Sequence, residues 1–240
     1  MNSFQTFFLI LTFVAPPTLW ALSRWFKSDR FDRIVCWILG SLLVATYLGD
    51  VTIKLRESDA IFRDALPMQL CDWVLFAVVL ALWRGSKMGF ELSYFWGLGG
   101  TIQALFTPAI DGGVGWLRLF GFFLSHSVIV IGVVFLMAPR GFRPRGASMV
   151  HVVAWSEIYI VTALVANALT GANYGFLSSK PAQKSMLDLF SDTHWIYVAQ
   201  INLVALVFFA VLYLPWACAD LWKKRRRPIS PRETPANLPS

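Results

Sequence analysis

The stretch WLRLFGFFLSHSVIVIGVVFLM, residues 116–137, decides the fold class of this chain. A helix needs about 20 mostly apolar residues to cross the hydrocarbon layer of a bilayer. This stretch meets that length, and its only ionisable side chains are Arg118 and His126. Its length and composition therefore predict a transmembrane helix.

The whole chain is too apolar for a soluble domain. Hydrophobic residues make up 57% of its 240 residues and charged residues only 15%, compared with roughly 25% charged residues in soluble domains. A protein core could not cover so much apolar surface, but lipid can. The net charge of +7 lies in short blocks between apolar runs, not on one face with interleaved aromatics, which excludes nucleic acid as a partner.

Seven stretches are long and apolar enough to span a bilayer. They are Phe4 to Trp25, Phe31 to Gly49, Leu66 to Trp83, Met88 to Ile110, Trp116 to Met137, Ala147 to Thr170 and His194 to Trp222. The sequence therefore predicts an all-α integral membrane protein with a seven-transmembrane-helix bundle over residues 1–222. Met1 to Thr6 lacks the basic start of a signal peptide, so the first helix is expected to stay. Residues 223–240, basic and then Pro-rich, are predicted to form a disordered tail.

Basic residues in the loops predict the orientation. Of the 21 Lys and Arg residues, 15 lie in one set of alternating loops and the tail, and six lie in the other set. Because cytoplasmic loops collect Lys and Arg, this split places the N-terminus outside and the C-terminus in the cytoplasm. The chain is expected in the cell membrane, the inner membrane if it is bacterial. The longer loops, Asp50 to Ala65 and Gly171 to Thr193, then lie outside and could cover an outward-facing site.

Polar side chains inside the predicted spans are the candidate functional groups, because such groups are costly in lipid. Gln69, Cys71 and Asp72 occupy the first two turns of the third span, and Gln103 and Thr107 share one face of the fourth. His126 lies near the middle of the fifth span. Further polar residues are Glu157, Asn167 and Thr170 in the sixth span and Gln200 and Asn202 in the seventh. With the predicted orientation, most of these groups converge on a cavity that opens outward.

Most of these groups have a structural alternative. Ser, Thr, Asn and Gln in membrane helices usually serve as interhelical hydrogen-bond partners. His151 is expected at the membrane interface, and Cys36 and Cys218 as small apolar packing residues. Cys71 differs from the other two cysteines because it stands beside Asp72, in a polar patch where a thiol could meet a base.

Four ordered motifs carry a resemblance to a known family. They are LPMQLCDW at 66–73, GTIQALFTPAI at 100–110, FFLSHS at 122–127 and GANYGFLSSKPAQKSMLDLF at 171–190. Together they resemble the YwaF-like bacterial integral membrane proteins and, more distantly, the animal Transmembrane protein 164 acyltransferases. The histidine of the family signature LPxHLC is Gln69 in this chain. The resemblance covers most of the chain outside the basic tail.

The resemblance implies acyl transfer or acyl hydrolysis on phospholipids, with phospholipid or lysophospholipid as substrates and no soluble cofactor or metal. Transfer through a thioester needs a thiolate, a base and donors for the oxyanion. We expect Cys71 to be the nucleophile and His126 the base, because imidazole suits proton shuttling. Gln69 or Asn173 could donate to the oxyanion or headgroup, and Tyr174 could stack over the cavity mouth. Asp72 could orient the histidine or repel the thiolate, and the sequence leaves both roles open.

Two other interpretations use the same residues. In a transporter or ligand-binding membrane protein, Glu157, Asp72 and His126 would form a proton or substrate relay. A membrane scaffold without chemistry would explain the apolar bulk but would give His126 and Asp72 no role. The sequence does not determine the acyl chain, the headgroup or the oligomeric state.

Overall fold

The computed structural model describes residues 3–57, 63, 65–108, 115–183 and 185–225, and all regular structure in these ranges is helical. The α-helices are α1 (Ser3–Phe26), α2 (Asp29–Glu57), α3 (Leu70–Arg84), α4 (Lys87–Leu92), α5 (Ile102–Phe106), α6 (Trp116–Met137), α7 (Gly146–Thr170) and α8 (His194–Arg225). A π-helix, Ser93–Thr101, joins α4 to α5, and two 3₁₀ turns, Tyr174–Phe176 and Met186–Leu189, lie between α7 and α8. The prediction of an all-helical protein is confirmed for these residues.

Five helices in the described part of the chain are long and apolar enough to cross a membrane: α1, α2, α6, α7 and α8. The third and fourth predicted spans differ from these. Helix α3 has 15 residues, which reach about 22 Å, less than the roughly 30 Å of the hydrocarbon core. The fourth is divided by the π-helix. The seven-helix count and the orientation of the termini therefore stay predictions.

The second and third helices begin or end away from their predicted bounds. Helix α2 does not stop at Gly49 but continues to Glu57, because no Pro or Gly breaks residues 50–57 and Lys54 pairs with Asp50 one turn earlier, at 2.6 Å. Helix α3 begins at Leu70 rather than Leu66, because Pro67 and the extended backbone of Gln69 precede it. Most of the predicted tail, residues 226–240, lies outside the described residues.

Helix α6 forms the centre of the bundle, in contact with α1, α2, α3 and the π-helix. Thr12 of α1 donates a hydrogen bond to Ser127 of α6, with 2.9 Å between the hydroxyl oxygens. One turn away, the rings of Phe8 and Phe123 stack at a centroid separation of 5.8 Å. A buried hydroxyl pair beside packed aromatic rings fixes the register of α1 on α6 without charge.

Glycines allow the fourth span to approach its neighbours closely. A Cβ added at Gly89 would lie 2.6 Å from the carbonyl oxygen of Ala77, so α4 and α3 touch through their backbones. The π-helix is held on its other side by Trp96, whose indole Nε1–H donates to the Ser156 hydroxyl of α7 at 2.9 Å. Tyr94 donates to the carbonyl of Leu212 in α8, also at 2.9 Å. The fourth span is therefore enclosed by α3, α6, α7 and α8.

Candidate functional site

Two ends of the bundle are distinguished by their polar residues. The end at which α3 begins is called the Cys71 end. The end at which α3 turns into α4 is called the Glu91 end. The second half of α2, the beginning of α6 and the loop after α7 all lie at the Cys71 end, because each span reverses the direction of the previous one, with α4, the π-helix and α5 forming a single span.

Cys71 lies in the first turn of α3, one residue after the helix begins at Leu70, and its side chain is half-buried. The backbone N–H groups of a first helical turn lack partners within the helix, and their positive end of the helix dipole favours a nearby anion. Cysteines at helix N-termini are for this reason among those that form reactive thiolates. The helix dipole favours a thiolate at this position, and the neighbouring carboxylate of Asp72 opposes it.

Asp72 caps the same helix. Its Oδ2 accepts a hydrogen bond from the backbone N–H of Gln69 at 3.1 Å, which is the usual contact of an acidic residue at the third helical position. The carboxylate therefore has a structural role that the sequence analysis did not foresee. No hydrogen bond joins Asp72 to His126 among the described residues. No contact there therefore supports the predicted role of Asp72 in orienting the histidine.

The side chain of His126 is buried, with 5% of its surface exposed. Its Nδ1 lies 2.7 Å from the carbonyl oxygen of Phe122. A carbonyl can only accept, so Nδ1 carries the proton and Nε2 of the neutral ring is left with a lone pair. No described residue donates to Nε2. The ring packs on Phe122 at a centroid separation of 4.0 Å, which holds the base in one orientation.

Helix packing places Cys71 and His126 in the same layer. An added Cβ at Gly97 would lie 3.3 Å from Ile129 and 3.6 Å from Val74, so these residues of α6 and α3 meet at the π-helix. Cys71 stands one turn before Val74, and His126 stands one turn before Ile129. Because α3 and α6 both run from the Cys71 end, the thiol and the imidazole lie on neighbouring helices at the same depth. No hydrogen bond joins them in the described chain.

Three charged residues that were not among the predicted site residues, Asp50, Lys54 and Arg118, also lie at the Cys71 end. The ammonium group of Lys54 lies 2.6 Å from Asp50, and Nε of Arg118 lies 3.6 Å from the other oxygen of the same carboxylate. Lys54 and Asp50 are within electrostatic range of the Cys71 thiol and of Asp72. Their helical spacing could have indicated this position, because Asp50 and Lys54 lie on the same face of α2 as the buried Leu43. The prediction missed it because the helix was expected to end at Gly49.

The loop after α7 covers the segment before α3. Gln69 accepts a hydrogen bond from the backbone N–H of Gly175 at 3.2 Å, and the hydroxyl of Tyr159 donates to the carbonyl of Met68 at 3.2 Å. Asn167 is buried and clamps the loop, because its amide oxygen accepts from the Tyr174 N–H at 2.7 Å and its amide nitrogen donates to the Tyr174 carbonyl at 3.1 Å. The loop is therefore fixed over the Cys71 end.

The two predicted site residues in this loop have partners of their own. Asn173 is half-buried, and its side chain bonds to Ser178 and Ser179. Tyr174 is buried, and its hydroxyl donates to the carbonyl of Arg63 at 2.6 Å. Both residues shape the loop, and no described contact brings either side chain to Cys71.

The predicted pair on the fourth span bonds within its own helix. Gln103 donates to the carbonyl of Gly99 at 3.1 Å, and Thr107 donates to the carbonyl of Gln103 at 3.2 Å. Thr170 likewise bonds to its own helix, through the carbonyl of Ala166. Gln200 accepts from the backbone of Ser191.

The proposed relay of Glu157, Asp72 and His126 is not connected. Glu157 is exposed on α7, and it accepts a hydrogen bond from Asn202 of α8 at 2.7 Å. In the part of the chain that the structure describes, no hydrogen bond links any two members of the relay.

A second polar cluster, missed by sequence reasoning, lies at the Glu91 end. Glu91 is 1% exposed, and its Oε1 accepts from Nε and Nη2 of Arg145 at 2.9 and 2.6 Å. Its Oε2 lies 2.8 Å from Nδ1 of His151, the residue expected at the interface. The available signal was an acid inside the apolar run FELSYFW. Among the described residues, no group of three or more His, Cys, Asp or Glu side chains is placed to hold a metal ion.

Comparison with known proteins agrees with the resemblance seen in the motifs. The model of the TMEM164 family matches residues 1–213. The chain belongs to the TMEM164 family. The match includes every candidate site residue and ends inside α8, before the basic tail. The resemblance to the TMEM164 proteins is thereby confirmed. No curated protein and no solved structure matches the chain. TMEM164 family membership and several apolar helices of spanning length together make this a membrane protein.

Proposed function

We propose that the chain is a multi-pass membrane enzyme that moves acyl chains of phospholipids through a thioester on Cys71, with His126 as the base. The placement of the two residues supports this proposal most directly. Cys71 lies in a helix N-terminal turn, and a buried imidazole whose Nε2 accepts from none of the described residues lies at the same depth on the neighbouring helix. Catalytic hydrogen bonds commonly tighten only when substrate is bound.

The reaction would proceed in two balanced steps. Nε2 of His126 takes the proton of the Cys71 thiol, and the thiolate attacks the ester carbonyl of a phospholipid. The ester C–O bond breaks, the acyl chain stays on sulfur, and the protonated imidazole gives its proton to the departing lysophospholipid alkoxide. A second lysophospholipid hydroxyl, deprotonated by the same imidazole, then attacks the thioester and restores the thiol. Water in place of this acceptor would release a free fatty acid.

The first turn of α3 would also stabilise the oxyanion. Backbone N–H groups that point out of a helix N-terminus are donors of the kind that stabilise the tetrahedral intermediate of acyl transfer. The loop that bonds to Gln69 would limit access of water from the Cys71 end. With the N-terminus outside and seven spans, as the loop charges predict, this end would face the outer leaflet.

The proposal is tested by trapping the thioester. Purified protein is incubated with a phospholipid that carries a labelled acyl chain, and protein-bound label is measured before and after treatment with hydroxylamine, which cleaves thioesters. We expect a hydroxylamine-sensitive adduct on the wild type, none on Cys71→Ala, and an unchanged amount on Cys36→Ala and Cys218→Ala. The His126→Gln variant should form the adduct about 10²- to 10⁴-fold more slowly. An adduct that persists in Cys71→Ala would refute the nucleophile.

A further inference from the structure

We propose that Lys54 and Arg118 bind the phosphate group of the lipid whose acyl chain reacts at Cys71. The inference rests on the proposed function and adds to it the residues that select a phosphorylated lipid. It is drawn from the pairing of these two cations, from their depth in the bundle, and from the hydrogen-bonding capacity that Arg118 leaves unused.

Arg118 is incompletely paired. Its Nε–H is buried and donates to no described residue, and the nearest carboxylate oxygen, on Asp50, is 3.6 Å away. That distance is too long for a hydrogen bond, so the contact is only electrostatic. A buried donor without an acceptor costs free energy. An anion with several oxygens, bound at the exposed part of this side chain, would supply the missing acceptor once the guanidinium turned toward it.

Lys54 and Arg118 share one carboxylate. Asp50 holds Lys54 at 2.6 Å through one oxygen and faces Arg118 through the other. The nearby Asp72 is engaged by the N–H of Gln69. Asp50 divides its charge between two cations, and the planar guanidinium matches phosphate oxygens two at a time. Both side chains remain partly exposed, at 19% for Lys54 and 33% for Arg118, so a ligand can reach them.

The depth of the two cations fits a phospholipid. Arg118 lies two turns before Ser125 on nearly the same face of α6, with His126 the next residue, and Lys54 lies beyond Asp50 toward the end of α2. Moving along α6 from the end of the bundle toward its middle, the order is thus Arg118, which faces the carboxylate that holds Lys54, then the imidazole of His126, then the apolar core. A phospholipid presents its phosphate, its ester carbonyls and its acyl chains in the same order.

The experiment compares two acyl donors on the same protein. One is a phospholipid, and the other is the p-nitrophenyl ester of the same fatty acid, which has no phosphate. The rate of thioester formation is measured with both on Lys54→Gln, Arg118→Gln and the double variant. We expect each single variant to be slower with the phospholipid by about 10-fold or more, the value of a hydrogen bond to a charged group. The p-nitrophenyl ester rate should stay within about twofold of wild type.

Lys180→Gln is the matched control, because it removes a lysine that pairs with Asp192 in the loop at the same end. It should leave both rates unchanged. Arg118→Lys should recover part of the phospholipid rate, since it keeps the charge but loses the planar donor pair. Equal losses with both donors would show that the two cations support the fold rather than the headgroup. Unchanged rates with the phospholipid would also overturn the proposal.

A binding measurement separates this inference from the proposed function. A dialkyl phospholipid, which has no ester to cleave, is titrated into Cys71→Ala protein with and without Arg118→Gln. We expect the dissociation constant to rise about 10-fold with Arg118→Gln even if no thioester ever forms in the wild type. An unchanged dissociation constant would reject the phosphate site, whatever the chemistry at Cys71. Binding of inorganic phosphate as tight as that of the lipid would assign the site to free phosphate and overturn the lipid assignment.

Discussion

Glu91 and Arg145 form an ion pair between α4 and α7 in which the carboxylate is buried and the guanidinium is half exposed. Both guanidinium contacts, at 2.6 and 2.9 Å, fall on one carboxylate oxygen, and His151 takes the other. A carboxylate in this position depends on its partners, because removing one of them leaves a charge that water cannot reach. The pair therefore ties the beginning of α7 to the fourth span.

Removal of Arg145 should be more damaging than removal of the neighbouring arginine. We expect Arg145→Ala to lower the free energy of unfolding by about 3 kcal/mol, because it strands the buried carboxylate. Arg143→Ala breaks an exposed pair with Asp220 and should cost about 0 to 1 kcal/mol. Thermal unfolding in detergent measures both. If the two variants unfolded at the same midpoint temperature, the buried pair would stabilise the protein no more than the exposed one, which would contradict this prediction.

The contact between α3 and α4 predicts a steric effect. Gly89→Ala places a methyl group against the carbonyl oxygen of Ala77, and relief requires the two backbones to separate. We expect a loss of about 1 to 3 kcal/mol in unfolding free energy. Gly121→Ala is the control, because an added Cβ there meets nothing within 4 Å. It should be neutral or slightly stabilising, as for alanine in a helix.

The clamp between α7 and the loop predicts a local change in dynamics. Asn167→Ala removes the acceptor of the Tyr174 N–H, at a cost of about 1 to 3 kcal/mol, whereas the Tyr174 carbonyl still accepts from the N–H of Leu177. Hydrogen exchange at the amides of residues 174–177 should become faster. Thr162→Ala removes an exposed hydroxyl that bonds within the same helix, so it should leave exchange in this loop unchanged. Slow exchange in Asn167→Ala would mean that other contacts hold the loop.

The predicted orientation can be tested with two matched cysteines. Ala182 is exposed in the loop at the Cys71 end, and Ala138 is exposed at the opposite end, after α6. In a chain without its three native cysteines, we expect a membrane-impermeant maleimide to label Ala182→Cys in intact cells. Ala138→Cys should react only after the membrane is permeabilised. The reverse pattern would invert the topology.

The long apolar helices were the part of the fold that the sequence could predict. Helices α1, α6 and α7 begin and end within one residue of the predicted bounds, because a continuous apolar run and its polar flanks are local properties. The predicted end of α2 was wrong by eight residues, because the helix continues past the apolar run into charged residues that hydropathy assigns to a loop. The shortness of α3 follows from Pro67 and from the capping of its first turn, which hydropathy does not register.

The convergence of charged side chains was not predictable from local patterns. Glu91 and Arg145 are separated by 54 positions in the sequence, and Glu91 and His151 by 60. These contacts depend on how α4 packs on α7, and the local patterns of a single sequence do not specify that packing. Cys71 and His126 were selected by residue type and motif. Their common depth became visible only through the contacts around Gly97.

The π-helix between α4 and α5 has a consequence for the rotation of the fourth span about its own axis. A π-turn contains more residues than an α-turn, so residues 93–101 offset the angular positions of everything that follows. This offset lets Glu91 point at α7 while the carbonyls of Leu105 and Phe106 meet the Gln5 amide of α1 at 2.9 and 3.0 Å. Deleting one residue from this segment would turn the far end by about 100°. The π-helix therefore rotates the second half of the span relative to the first, so that its two ends contact different neighbouring helices.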